Sequence, residues 1–233
     1  MLETVIQKFD SDDADVLSAY QAETHGDYLK AIEHYKKALE KNPELGIVYK
    51  HCGNVYYRLG LLQEAEYYLQ EAVKRLPTYP TGIYELGLAY YRRVKIKQAI
   101  ECMHDVLKLD EGFLMAHYWL GIMYYHYGYL ISAKEQFSIV TEKRPDFTIA
   151  YFHLGNTNLR LGAYQEAANC FEEITIVNPQ GPTAYTLLGE SYLNLERRYE
   201  ARQAYKKALD LDPDDKKAKH GLQVLDDFKD VNF

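Results

Sequence analysis

The side chains most able to do chemistry in this 233-residue chain are eight histidines, three cysteines and a store of 23 tyrosines. The histidines invite a metal-binding reading, but no two of them stand at i, i+3 or i+4, the spacings that bring two side chains to one helix face. Cys52 directly follows His51, and adjacent residues on a helix point in different directions, so that pair does not chelate. Cys52, Cys102 and Cys170 lie far apart without a CxxC spacing and read as reduced, small core residues. The chain carries no P-loop, GxGxxG, GxSxG or HExxH motif. It is therefore expected to be no enzyme and to need no cofactor and no metal. The tyrosines and arginines point to recognition instead. Tyr57, Tyr91 and Tyr125 recur in steps of 34 residues, each followed by a cation or histidine (Arg58, Arg92, His126), with Arg160 one step further. Tyrosine offers large area with little rotamer entropy, and arginine a forked donor; both are common interface anchors.

What positions these residues is the period itself. His117 to Pro145 reads as two short amphipathic helices that cannot bury their apolar faces on each other alone, and the same skeleton returns 34 residues upstream and downstream. A fixed period in this range marks a stacked helical array. Counted from residue 12, position 8 is glycine at Gly53, Gly87, Gly121, Gly155 and Gly189, and position 20 is alanine from Ala31 to Ala201. Both are read as small because two helix backbones pass close there. Bulk fills the adjoining places: Tyr56, Tyr90, Tyr124 and Tyr192 at position 11, then Tyr35, Leu69, Met103, Phe137, Phe171 and Tyr205 at position 24. Gly26, Gly60, Gly128 and Gly162 stand at position 15, where a residue just past a helix end takes positive φ. Pro43, Pro77, Pro145, Pro179 and Pro213 close the units, since proline cannot continue the preceding helix.

Together these positions resemble the tetratricopeptide repeat over residues 12–215, six units without insertion: 12–45, 46–79, 80–113, 114–147, 148–181 and 182–215. The departures are specific. Asp15, Ser18, Ala19 and Ala22 make the first helix of the first unit degenerate, and Asn158 replaces the usual tyrosine in the fifth. The third unit has Val94 in place of the turn glycine and Glu111 in place of the closing proline. In the sixth, Tyr199 sits one place late and Glu196 replaces glycine, which predicts a different turn there.

The resemblance implies an all-α, right-handed α-solenoid whose first helices line a concave groove. On that reading the lining residues are Lys50, Asn54, Tyr57 and Arg58 in the second unit, and Tyr84, Tyr91 and Arg92 in the third. Tyr118, Ile122, Tyr125 and His126 follow in the fourth, and Phe152, Asn156 and Arg160 in the fifth. A plainer alternative is that the arginines, near helix C-termini, are simply solvated there. The three tyrosines of position 12 would then stack between units. Some modules of the family grip acidic chaperone tails through five polar residues. Lys50 and Asn54 match the first two, but Glu85, Met115 and Trp119 fill the other three places, so this is not that clamp.

The formal charge of −7 disfavours nucleic acid as the main partner, since phosphate binding needs a basic surface. No run has the length of a membrane span and no secretory signal is visible, so a cytoplasmic setting is expected. Residues 1–11 precede the period as an amphipathic arm, with Leu2, Val5, Ile6 and Phe9 on one stripe. The Ser11-Asp12-Asp13 cluster is suited to start the first helix. Residues 216–233 are expected to form a C-terminal capping helix, with Ala218, Leu222 and Leu225 inward, and a short tail from Lys229. The expected partner is a protein or peptide, extended or helical, carrying apolar and acidic residues. Two alternatives are a homo-oligomer built by arms docking into neighbouring grooves, and a regulatory region of a larger enzyme.

Overall fold

The computed structural model describes residues 13–227. The arm at residues 1–11 and the tail from Lys229 lie outside them. The described residues form thirteen α-helices and no strand. The chain divides after Ala116 into two compact units. The first holds α1 (Ala14–Thr24), α2 (Tyr28–Lys41), α3 (Gly46–Arg58), α4 (Leu62–Arg75), α5 (Pro80–Arg92) and α6 (Ile96–Leu109), with the first residues of α7 (Leu114–Tyr127). The second holds the rest of α7, then α8 (Leu130–Lys143), α9 (Thr148–Leu161), α10 (Tyr164–Val177), α11 (Pro182–Asn194), α12 (Arg198–Leu211) and α13 (Lys216–Asp227). Each unit is a stretch of α-solenoid in which a hairpin packs on the next: α1 and α2, then α3 and α4, then α5 and α6 in the first.

The small residues of the repeat have a more definite reason than close backbones. A Cβ on Gly53 would come within 2.7 Å of Leu69 Cγ, and one on Gly155 within 2.7 Å of Phe171 Cε1. The glycine of the first helix is thus the seat of the large side chain of the second. Those large residues, Tyr35, Leu69, Met103, Phe137 and Phe171, are all fully buried. The alanines of position 20, from Ala31 to Ala201, are equally buried. A first helix contributes its apolar stripe, the second its own, and neither has another place to put it.

The hairpin turns follow one pattern. The N–H of the residue in position 15 donates to the carbonyl three residues before it, as in Gly60 to Tyr57 (3.1 Å), and the next N–H reaches back five, as in Leu61 to Tyr56 (3.0 Å). Gly26, Gly60, Gly128 and Gly162 hold φ between +74° and +81°. The turn expected to differ, at Glu196, does not, and neither does the other turn without glycine, at Val94. Both residues adopt φ of +59° and make the same two bonds, Val94 to Tyr91 and Glu196 to Leu193, then Lys95 to Tyr90 and Arg197 to Tyr192. Packing of the two helices fixes the turn, and the non-glycine residue accepts an unfavourable backbone region.

The ends are capped locally. Asp13 Oδ1 accepts the Asp15 N–H at 2.8 Å and starts α1. Asp215 does the same for α13, accepting the Lys217 and Ala218 N–H groups at 2.9 and 3.0 Å while also accepting the Thr186 hydroxyl at 2.5 Å. Ala218, Gly221 and Leu225 are the buried face of α13, and Leu222 packs beside them against the α11–α12 core.

Candidate interaction face

In the first unit the face of α1, α3 and α5 carries three polar arrangements. The first is Glu23 on α1, whose carboxylate accepts the Tyr35 hydroxyl at 2.7 Å and lies 3.2 Å from His51 Nδ1 and 3.9 Å from Arg58 Nη1. Burial alone would raise its pKa, but the hydrogen bonds from His51 and Tyr35 outweigh it and hold Glu23 below the usual carboxylate value. Above it opens a recess of about 500 Å³ lined by Tyr20, Glu23, Tyr28 and Arg58, among others. Next, Lys50 on α3 sits 3.4 Å from Glu85 Oε1 on α5, with the two side chains only 11 % and 18 % exposed. Burial pushes the Glu85 carboxyl above its ordinary value despite Lys50 and Asn54 beside it, and its Oε2 is buried with no hydrogen bond. Third, the Arg92 guanidinium lies over the Tyr57 ring at 4.7 Å and donates to the Tyr57 carbonyl at 3.1 Å. Tyr84 packs at 5.2 Å from Phe113 and keeps part of its ring exposed, and Tyr91 is likewise half-buried.

In the second unit the corresponding face of α7, α9 and α11 is more closed. Tyr118, expected to line the groove, is 9 % exposed because Phe137, Phe147 and His153 surround its ring at 5.4–6.2 Å. Ile122 is 7 % exposed. Both act as core side chains, which removes them from the surface a partner can reach. Phe152 is half-buried against the α11–α12 core, and the Asn156 amide donates back to the Phe152 carbonyl at 2.7 Å. Arg160 repeats the arrangement of the first unit: its guanidinium lies over Tyr125 at 4.6 Å and donates to the Tyr125 carbonyl at 3.2 Å. His126 is exposed and meets Tyr125 edge-on at 6.0 Å.

Of the expected lining, Lys50 with Asn54 and Tyr57 with Arg92 are brought together in the first unit, and Tyr125 with Arg160 in the second. Arg58 turns instead to Glu23. Tyr57 and Tyr125 serve as platforms for arginines one repeat later. Glu23 was missed, and Glu85, noted only as a break in the acidic-tail clamp, was not recognised as the partner of Lys50; the two pair with Arg58 and Lys50 respectively. A glutamate falling one repeat and one residue after Lys50 was the visible signal. His153 was missed as well: it stacks on Phe137 at 5.5 Å and 16°, and burial lowers its pKa with help from His126.

On the other side of the first unit a smaller recess of about 340 Å³ is lined by Tyr49, Tyr67, Tyr68 and Lys36, among others, and Arg75 covers the Tyr49 ring at 4.3 Å. The three thiols are chemically quiet. Cys52 and Cys170 are buried, Cys102 is half-buried, and burial pushes them up to about 12, 11 and 12 respectively. Among the described residues no group of three His, Cys, Asp or Glu is placed to hold a metal ion, and no helix is long and apolar enough to cross a membrane.

Comparison with known proteins agrees with this architecture. Tetratricopeptide-repeat family profiles match residues 25–60, 132–168 and 159–216. A search of curated proteins gives no match. Among solved structures, YrrB, described as a TPR protein with an unusual peptide-binding site, is 25 % identical and superposes with a TM-score of 0.75 over 83 % of this chain and all of its own. Residues 41 to the end of MamA from Desulfovibrio magneticus RS-1 are 20 % identical, with a TM-score of 0.67 over 73 % of this chain and 97 % of that one. The C-terminal part of a TPR repeat-containing protein from Cytophaga hutchinsonii is 17 % identical, with a TM-score of 0.69 over 88 % and 98 %.

Proposed function

Because the chain belongs to the tetratricopeptide-repeat family, we propose that it is a non-catalytic scaffold that holds a peptide segment of a partner protein on the faces of its first helices. The observation that carries this reading is where the surplus aromatic residues stand. Tyr57, Tyr84, Tyr91, Tyr125 and Phe152 occupy first-helix positions that the hairpin cores do not require, and each keeps part of its surface open. Half-buried aromatics beside guanidinium groups are the usual composition of an interface centre. The 25 % identical YrrB, matched over its full length and described by its peptide-binding site, supports the same reading. The segment is expected to carry apolar side chains for the aromatic positions and acidic ones for the arginines.

Affinity capture from native lysate tests it. The wild type is run beside a Tyr84→Ala/Phe152→Ala variant and beside a Leu29→Ala/Ile131→Ala control, whose two residues are 77 % and 69 % exposed on second helices. Partners lost only from the first variant are clients of the first-helix face. Partners kept by it and lost from the control would place the binding surface on the second helices instead. A second reading, self-association through the apolar stripe Leu2, Val5, Ile6 and Phe9, rests on the sequence alone. It requires a concentration-dependent sedimentation coefficient that falls to the monomer value when residues 1–11 are deleted.

A further inference from the structure

The geometry points to Arg92 and Arg160 as two separate carboxylate anchors, each held ready by the tyrosine of the preceding repeat, where acidic side chains of a bound peptide dock. This rests on the peptide-binding reading and names the chemistry of its partner. The first-helix face offers four cations that could receive a carboxylate, namely Lys50, Arg58, Arg92 and Arg160. Two are already neutralised within the chain, Lys50 by Glu85 at 3.4 Å and Arg58 by Glu23 at 3.9 Å. At Lys50 the seat an incoming carboxylate would take is filled by the carboxylate of Glu85, and a second acid there would meet repulsion and desolvation together.

Arg92 and Arg160 differ. Both are exposed, and neither enters an ion pair among the described residues. Each stacks on a tyrosine ring, at 4.7 and 4.6 Å, and gives one Nη1 hydrogen to that tyrosine's carbonyl, at 3.1 and 3.2 Å. The same construction, built independently in two units, fixes a long side chain that would otherwise lose rotamer freedom on binding. A guanidinium has five N–H donors, so the remaining donors of the fork stay open for a bidentate carboxylate. A single guanidinium suits a singly charged carboxylate; phosphate groups are read by clusters of arginines.

Selection of a random peptide library displayed on phage, against the full chain, tests this. Peptides selected by the wild type are expected to be enriched in Asp and Glu. That enrichment should vanish on an Arg92→Gln/Arg160→Gln variant and persist on Lys50→Gln. For a synthetic selected peptide, replacing its key Glu by Gln should weaken binding roughly tenfold or more. The Tyr57→Leu variant, whose Arg92 keeps its charge but loses its platform, should weaken the acidic peptide more than its Gln counterpart. Selected peptides without acids, acid selection that depends on Lys50, or tighter binding of a phosphoserine version would overturn the assignment while leaving peptide binding intact. Selection of no peptide at all would remove both.

Discussion

Asn158 and His153, two neighbours on α9, show how far single side chains can depart from the repeat without unmaking it. Asn158 takes a place where four other units have tyrosine, is 2 % exposed, and leaves its Oδ1 without a hydrogen bond. Its Nδ2 has only the Cys170 sulfur, at 4.0 Å. An unsatisfied buried polar group costs about 1–3 kcal/mol, so Asn158→Leu is expected to stabilise the protein by roughly 1 kcal/mol. The urea midpoint should rise, and a fall would show that the amide is held by a partner after all. His153 lies in an aromatic nest of Phe137, Tyr118 and Phe152, with His126 nearby. Its pKa in the folded chain is below the ordinary 6.5. As pH falls through that ordinary value the unfolded chain takes up a proton that the folded chain resists, so stability drops. His153→Phe should flatten this part of the stability profile. A profile that keeps its full slope in the variant would assign it to another histidine.

At the scale of helices and turns, the repeat was legible because its signals are redundant. Gly53 opposite Leu69, Ala65 in α4 and the closing Pro77 all report the same hairpin, and the structure adds only why the glycine is needed. The turn at Glu196 was misread because a local rule, glycine for positive φ, was taken to decide a geometry that helix packing decides. The equivalent turn at Val94 yields a prediction: this valine, 79 % exposed at φ +59°, should be improved by Val94→Gly. Relief of a left-handed β-branched residue, about 1–2 kcal/mol, outweighs the added backbone entropy, about 0.5–1 kcal/mol. A higher melting temperature would show it; a lower one would mean the valine packs usefully. In the other direction, Gly155→Ala drives a methyl against the fully buried Phe171 ring and should cost about 1–3 kcal/mol. Calorimetric unfolding reads that loss, and an unchanged transition would mean the ring can move aside.

For the molecule as a whole, the period fixes the class of fold and leaves the function to residues that break it. A stack of near-identical hairpins is stabilised by nearest-neighbour packing, so positions 8, 20 and 24 say little about a partner. The first-helix positions do, but only part of that face could be read in advance. Tyr118 looked like lining and is core, because Phe147 at the end of its own repeat and His153 from the following one close over it. Lys50 looked like an anchor and is paired, because Glu85 lies one repeat away in space as well as in sequence. Side-chain reach across repeats decides such cases, and a sequence read one repeat at a time does not contain it. What stays accessible is a set of half-buried aromatics with Arg92 and Arg160 among them. The most direct measurement is isothermal titration of one captured partner segment into the wild type and into Tyr84→Ala. The expected result is a loss of affinity of roughly 10- to 100-fold, about 1–3 kcal/mol, with the heat of binding still detectable. An unchanged Kd would contradict a binding role for the first-helix aromatics.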